Sequence, residues 1–322
     1  MKTVELAEKS LIFPLDGRIT KSCHASTICT AQNGDILAAW FGGKHEKAND
    51  VEIYLSRRSR TSGTWSTPVM VSQKDDIPCW NPVLFRHGGK ITLCYKKGAT
   101  IPTWKTLVTY SYDDGFTWTS PTELVPGDES GGRGPVKDKP LITSDGIILA
   151  GASHETDSAN SEWRAFIDVS HDGGVTWIRG DYLNDGIKTK LIQPTLWEDD
   201  KGCHALMRSK NGVIYRSDAD KADLKFCEAY PTDIPNNNSG IDLVKSPDGR
   251  LFLVCNPVNT TARSPISLLV SNDGGEHFSL AAELMREDGG ELSYPAVIYS
   301  DGELLITFTY NRKSVMFVRV KI

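Results

Sequence analysis

Six short stretches carry the side chains best suited to chemistry. They are CHAST with His24, WNPV with Asn81, DKPL with Lys139, IQPT with Gln193, NSGID with Ser239 and Asp242, and SYPA with Tyr294. In four of them a polar residue stands directly before proline. Proline can open a strand without disturbing a ladder, because it has no N–H to contribute. The polar side chain ahead of it is then free to face an opening. Imidazole, phenol and amide groups transfer protons and make hydrogen bonds. Lys139 and Asp242 add charge. Such a ring around one opening is not how a core is filled, and it reads as a ligand site.

Residues so far apart meet only if the chain repeats. Short glycine turns recur before apolar runs: NGDILAAWF, GGKITLCY, DGIILAGA, KGCHALMR, DGRLFLVCN and DGELLITFTY. Their second turn residues fall at 34, 89, 146, 202, 249 and 302, in steps of 55, 57, 56, 47 and 53. Each reads as a two-residue hairpin. Helical periodicity is almost absent. Six units of about four strands predict an all-β, six-bladed β-propeller with four-stranded antiparallel blades. One such propeller is expected over residues 1–322, its blade first strands beginning near residues 24, 81, 139, 193, 239 and 294. A pair of ordinary β-sandwiches would not space its turns so evenly.

A second repeat supports this reading. SYDDGFTW (Ser111–Trp118), SHDGGVTW (Ser170–Trp177) and SNDGGEHF (Ser271–Phe278) share S-x-D-x-G-x-x-aromatic. SRRSRTSGTW (Ser56–Trp65) and SDADKADLKF (Ser217–Phe226) are degraded copies. The box falls between the third and fourth strands of a unit. Its Ser and Asp suit the backbone N–H groups of their own turn, and its aromatic ring suits packing between sheets. Asp113, Asp172 and Asp273 are expected to be structural. Calcium binding is the weaker alternative, for want of oxygen ligands.

In a propeller the first strand lines the channel, so the loop after the second strand overhangs the same face. Those loops carry Lys44, Lys96, Lys97, Arg164, Arg208, Arg263 and Arg312, with Trp104 and Trp163. The whole chain has a net charge of −5. Cations gathered over one mouth of such a protein suit an anionic ligand. Arginine suits carboxylate, because its fork matches both oxygens. A tryptophan offers a flat face to a sugar ring.

Composition removes other classes. The chain has 322 residues, 39% apolar and 24% charged, ample for a large core. Basic residues form no stripe, so no nucleic-acid partner is expected. No apolar run is long enough to cross a membrane as a helix, so no membrane partner is expected. The N-terminal stretch has no apolar segment of a secretory signal, which reads as cytoplasmic; a mature secreted or periplasmic form would read the same. The seven cysteines are scattered, without C-x-x-C or a Cys/His cluster. Buried thiols are expected, with no metal and no cofactor.

The boxes and the six units resemble the sialidase superfamily. More specifically, CHASTI, NGDILAAWFGG, DVEIYLSRR, CWNPVLF, NSGIDLV and ELSYPAVI followed by DGELLITFTYNRK resemble its sialidase-like, predicted-neuraminidase BNR/Asp-box branch. The resemblance implies three arginines on a substrate carboxylate, a tyrosine nucleophile assisted by a glutamate, and an aspartate acid/base. A neutral tyrosine spares an anionic substrate a charge clash, which sets this class apart from two-carboxylate glycosidases. By order and spacing Tyr294 matches the nucleophile, Asp50 the acid/base, and Arg208 and Arg263 the second and third arginines. Two positions depart. His24 stands near the place of the first arginine, and Gln193 stands where the glutamate belongs. A glutamine cannot accept the phenolic proton, whereas an imidazole can.

Three readings follow. The first is an exo-acting glycosidase on an acidic oligosaccharide or glycoconjugate, containing sialic or uronic acid. Tyr294, Asp50, His24 and Gln193 are its catalytic set. Arg208, Arg263, Asn81, Lys139, Asp242, Arg312, Trp163 and Lys44 are its substrate-binding set. The second is a lyase cutting next to a uronic acid, as in rhamnosyl-glucuronate, with His24 and Tyr294 moving the protons. The third is a carbohydrate-binding propeller without turnover.

Overall fold

Each glycine turn joins the two innermost strands of one sheet. Gly34, Gly89, Gly146, Gly249 and Gly302 have φ between 77° and 88°, a region open to glycine at little steric cost. The computed structural model describes residues 4–157 and 161–322. Residues 158–160 of the loop expected over Ser153–Arg164 lie outside the described residues, as do residues 1–3.

The strands form six four-stranded antiparallel sheets in a β-propeller. The innermost strands of blades one to six are Ser22–Thr30, Cys79–His87, Leu141–Ile142, Leu191–Glu198, Asp242–Lys245 and Leu292–Ser300. Helix among the described residues is one short 3-10 turn at Ile101–Thr103. The ring closes through its last blade. The N-terminal strand Glu5–Leu11 pairs with Ser314–Lys321 as that blade's outer strand. First and last segments thus share one sheet, and no blade is left with an open seam.

The second strands show why the blades stack. Ile36–Gly43 is buried at every position, as expected of a strand covered on both faces. The boxes lie between third and fourth strands, and each ties its own turn. Ser111 donates to Asp113 at 2.8 Å, and the Thr117 N–H donates to the same carboxylate at 2.8 Å. Ser170 with Asp172 and Ser271 with Asp273 repeat the pattern. The box aromatics reach back to the preceding blade. Trp118 packs on the cluster with Leu37, Trp177 on that with Val83, and Phe278 on that with Trp197 and Leu206. Blade four, whose box is degraded, carries an ionic knot instead. His204 sits between Asp218 at 2.5 Å and Asp199 at 2.9 Å, and Arg216 also reaches Asp218.

All seven cysteines are free, and six of them are buried. Burial pushes the thiols of Cys23, Cys29, Cys94 and Cys255 up to about 12.

Candidate active site

Four of the innermost strands contain the same irregularity. Their ladders slip between His24 and Thr27, Trp80 and Val83, Ile192 and Thr195, and Ser293 and Ala296. At each slip one non-glycine residue has positive φ: Ala25 at 56°, Asn81 at 37°, Gln193 at 58° and Tyr294 at 54°. Such angles are uncommon outside glycine. A bulge adds one residue, bends the strand and re-aims a side chain. The proline after Asn81, Gln193 and Tyr294 fits the gap, because it has no N–H to leave unpaired. Strain of this kind concentrates at sites where geometry matters. In blade one the bulged residue is Ala25, so His24 occupies the position before it.

The bulges bring three predicted residues together. The rings of His24 and Tyr294 lie with centroids 4.1 Å apart. Gln193 Nε2 lies 3.4 Å from Tyr294 Oη. Arg208 Nη1 donates to Tyr294 Oη at 2.6 Å and to Gln193 Oε1 at 3.2 Å. Gln193, Arg208 and His24 are almost fully buried. The Arg263 guanidinium lies 5.9 Å from the Tyr294 ring centre.

Arg263 and Arg312 share one carboxylate. Arg263 donates to Glu291 at 2.8 Å and Arg312 donates to it at 2.9 Å. Arg312 also reaches Glu46 at 2.5 Å, on the loop between the second and third strands of blade one. The Arg312 carbonyl accepts the Cys23 N–H. A third guanidinium thus stands beside His24, delivered by the last blade rather than the first. Burial, then the charges of Arg312, Arg263, Arg208 and Lys137, hold the His24 imidazole well below its ordinary value. It is neutral near pH 7, and its buried Nδ1 has no hydrogen-bond partner among the described residues, with Glu291 Oε1 at 3.9 Å.

Other candidates fall at varied places. Trp163 joins the site wall, with the Arg208 guanidinium 5.5 Å and the Lys210 ammonium 3.8 Å from its ring. Asn81 is buried at its bulge. Asp50 and Lys44 lie on the Glu46 loop, where the Lys44 N–H donates to Asp50 at 3.2 Å. Lys139 and Asp242 hold each other at 2.9 Å deeper in the channel. Asp242 also accepts from Thr195 and the Val297 N–H, so it braces three blades. Its carboxylate oxygens both serve that brace.

Two loop residues expected over the mouth are in the interior. Lys96 is fully buried and donates to Thr106 and to the Arg133 carbonyl. Burial lowers it to about 7. Trp104 packs edge-on to Trp80, 3% exposed. Lys96 alternates inward near the end of its strand and Trp104 caps the short 3-10 turn before the next one, which loop position alone does not reveal.

Sequence reasoning missed Glu291, Asn238, Glu155 and Lys137. Asn238, at φ 61°, accepts from Arg208 Nε at 3.0 Å and so aims that guanidinium. The run of three asparagines at 236–238 was its one signal, since asparagine tolerates this region. Glu155 faces Trp163 across its strand pair. Burial raises it to about 7, against the pull of Arg208 and Lys210.

A family model described as a BNR repeat-like domain matches residues 34–306. The chain belongs to that family. Curated protein sequences yield no match. Among solved structures, a protein of unknown function from Dyadobacter fermentans superposes with a TM-score of 0.83 at 15% identity, over 100% of both chains. A Hadza microbial sialidase gives 0.79 at 14% identity, covering 98% of this chain and 68% of its own. The NanB sialidase of Streptococcus pneumoniae gives 0.77 at 12%, covering 97% and 70%. Trypanosoma rangeli sialidase with the inhibitor DANA gives 0.73 at 14%, covering 93% and 55%, so this chain spans about half of that one. The fold of this BNR-repeat protein is therefore that of the sialidase-like propellers.

Proposed function

We propose that this protein is a glycosidase that releases an acidic sugar from the end of a glycan, using Tyr294 as nucleophile. One observation carries the reading: the Tyr294 hydroxyl sits at 2.6 Å from a buried guanidinium, and its ring lies tilted beside a neutral imidazole, centroids 4.1 Å apart. Arg208, Arg263 and Arg312 bind the substrate carboxylate, an anion that a phenol does not repel. The Tyr294 oxygen attacks the anomeric carbon while the glycosidic bond breaks. Asp50 gives its proton to the leaving oxygen, and His24 takes the phenolic proton. Arg208, already on the oxygen, stabilises the charge that develops there. Water then attacks the anomeric carbon as its bond to the Tyr294 oxygen breaks; Asp50 recovers a proton from the water, and His24 returns its proton to the released phenolate. A neutral imidazole is the protonation state this step requires.

A second reading rests on Gln193. An amide beside the phenol accepts no proton, but it can hydrogen-bond a uronic acid carboxylate. Tyr294 and His24 would then share removal of the C5 proton and protonation of the leaving oxygen, and the product would be an unsaturated uronate.

Purified protein incubated with sialosides and rhamnosyl-glucuronates, followed by mass spectrometry, separates the two. Hydrolysis adds the mass of one water across the products, and elimination adds none. Tyr294→Phe and His24→Ala are expected to abolish turnover with little effect on folding. Full activity in both variants overturns the site assignment for either reaction.

A further inference from the structure

Lys137 is 3% exposed, yet it carries a charge in the centre of the propeller. Its three donors are all engaged. The ammonium donates to Asp138 at 2.6 Å, to the Ile241 carbonyl at 2.8 Å and to the Pro295 carbonyl at 2.5 Å. Lys137 lies just before blade three. Ile241 leads into the first strand of blade five, and Pro295 lies in that of blade six. The side chain therefore runs across the channel.

Its second carbonyl partner is the telling one. Pro295 follows Tyr294, and both fall in the gap where the blade-six ladder slips. Groups in such a gap lose their strand partner and need another. Lys137 supplies it to the carbonyl of the residue that follows the phenol-bearing one. An ion pair inside a protein is usually no more stable than apolar residues of equal volume. A lysine kept here is better explained by what its ammonium holds.

Gly240 gives an independent indication. Its backbone lies outside the left-handed region, so conformation does not demand glycine there. Space does. A Cβ would stand 2.8 Å from Lys137 Cε and 3.4 Å from Tyr294 Cδ2. Gly240, Lys137 and the Tyr294 ring thus form one tight layer.

We infer that Lys137 is a positioning residue for Tyr294, clamping the strained bulge through the Pro295 carbonyl while Gly240 leaves it room. The inference rests on Tyr294 being the reacting group. Removing the clamp lets the 295–296 peptide, and the bulge with it, relax and moves the phenol away from Arg208. A misplacement of about 1 Å at a reacting group lowers turnover about 100-fold.

Two variants test this from opposite sides. Lys137→Met removes the ammonium and keeps the length of the side chain. Gly240→Ala keeps every charge and adds one methyl group to the layer. Turnover of an acidic glycan is expected to fall about 100-fold in both, while binding of free sialic acid, measured by calorimetry, changes less than about 3-fold. A purely structural role would instead lower binding, turnover and melting temperature together. A folded variant with wild-type turnover, or parallel loss of binding and turnover, overturns the inference. If Lys137→Met does not fold, Gly240→Ala decides alone. If the wild-type protein turns over no acidic glycan, the proposed function fails separately. The clamp is then read from crystal structures of the same variants: a displaced Tyr294 phenol supports it, and an unmoved one overturns it.

Discussion

The sharpest perturbation is Gln193→Glu, which places a carboxylate where the family resemblance expects one. The side chain keeps its shape, so the fold should tolerate it. Gln193 Oε1 already accepts from Arg208 at 3.2 Å. A charge at that distance gains about 5 kcal/mol from the guanidinium at an effective dielectric of about 20. That offsets a burial cost of several kcal/mol. The new carboxylate also faces Tyr294 Oη, where the amide sits at 3.4 Å, and can accept its proton. A well-placed general base contributes about 10²–10⁴ in rate. The same charge repels a ligand carboxylate gripped by Arg208. At a separation of about 5 Å the repulsion is about 3 kcal/mol, or about 150-fold in binding. Steady-state kinetics on an aryl glycoside of an acidic sugar should therefore show kcat and KM rising together, each by about two orders of magnitude, with kcat/KM nearly unchanged. A kcat that stays level or falls while products still gain water would refute the assignment of Tyr294 as a nucleophile whose deprotonation limits turnover. Loss of activity on a uronate, with an unsaturated product in the wild type, would favour elimination.

Three further outcomes are expected. Asn238→Ala removes the acceptor from Arg208 Nε; a hydrogen bond to a charged group contributes about 1.5–3 kcal/mol, so kcat/KM should fall roughly 10- to 150-fold while the melting temperature changes little, and an unchanged KM would show that Arg208 aims itself. Burial would lower the His204 imidazole, but its hydrogen bonds to Asp218 and Asp199 outweigh that and hold it above its ordinary value. A raised folded value gives stability that is complete below the unfolded value of about 6.5 and is lost as pH rises through the folded one. Chemical denaturation between pH 6 and 9 should thus show a decline that His204→Gln removes, and an identical slope in the variant would contradict it. Asp113→Ala breaks the box on the face opposite the site, so the melting temperature should fall with kcat unaltered; a loss of turnover in folded protein would give the boxes a role in the chemistry.

How much of this was legible in the sequence depends on distance along the chain. The blades were, because glycine turns and boxes are local signals repeated at a nearly constant step. The bulges were partly so, since Asn81, Gln193 and Tyr294 each precede a proline, whereas Ala25 has none and gave no sign. The meeting of His24, Gln193 and Tyr294 follows once six units close into a ring. What escaped was the choice among neighbours. Lys137 and Lys139 lie two residues apart and both enter the channel, yet Lys139 meets Asp242 while Lys137 reaches the Tyr294 bulge. Glu291, from the same short segment as Tyr294, looks like an ordinary loop acid until Arg263 and Arg312 close on it from two other loops. Sequence spacing assigns a residue to a face, and packing across blades decides its partner.

The most direct measurement of the central claim is covalent trapping. An acidic sugar carrying fluorine at the anomeric carbon and beside it should leave its anomeric carbon on the nucleophile and turn over slowly. Intact-protein mass spectrometry is expected to show one adduct, mapped by peptide sequencing to Tyr294 and absent from Tyr294→Phe. An adduct on another residue, or none from protein that still hydrolyses an acidic glycan, would contradict a tyrosine nucleophile at this site.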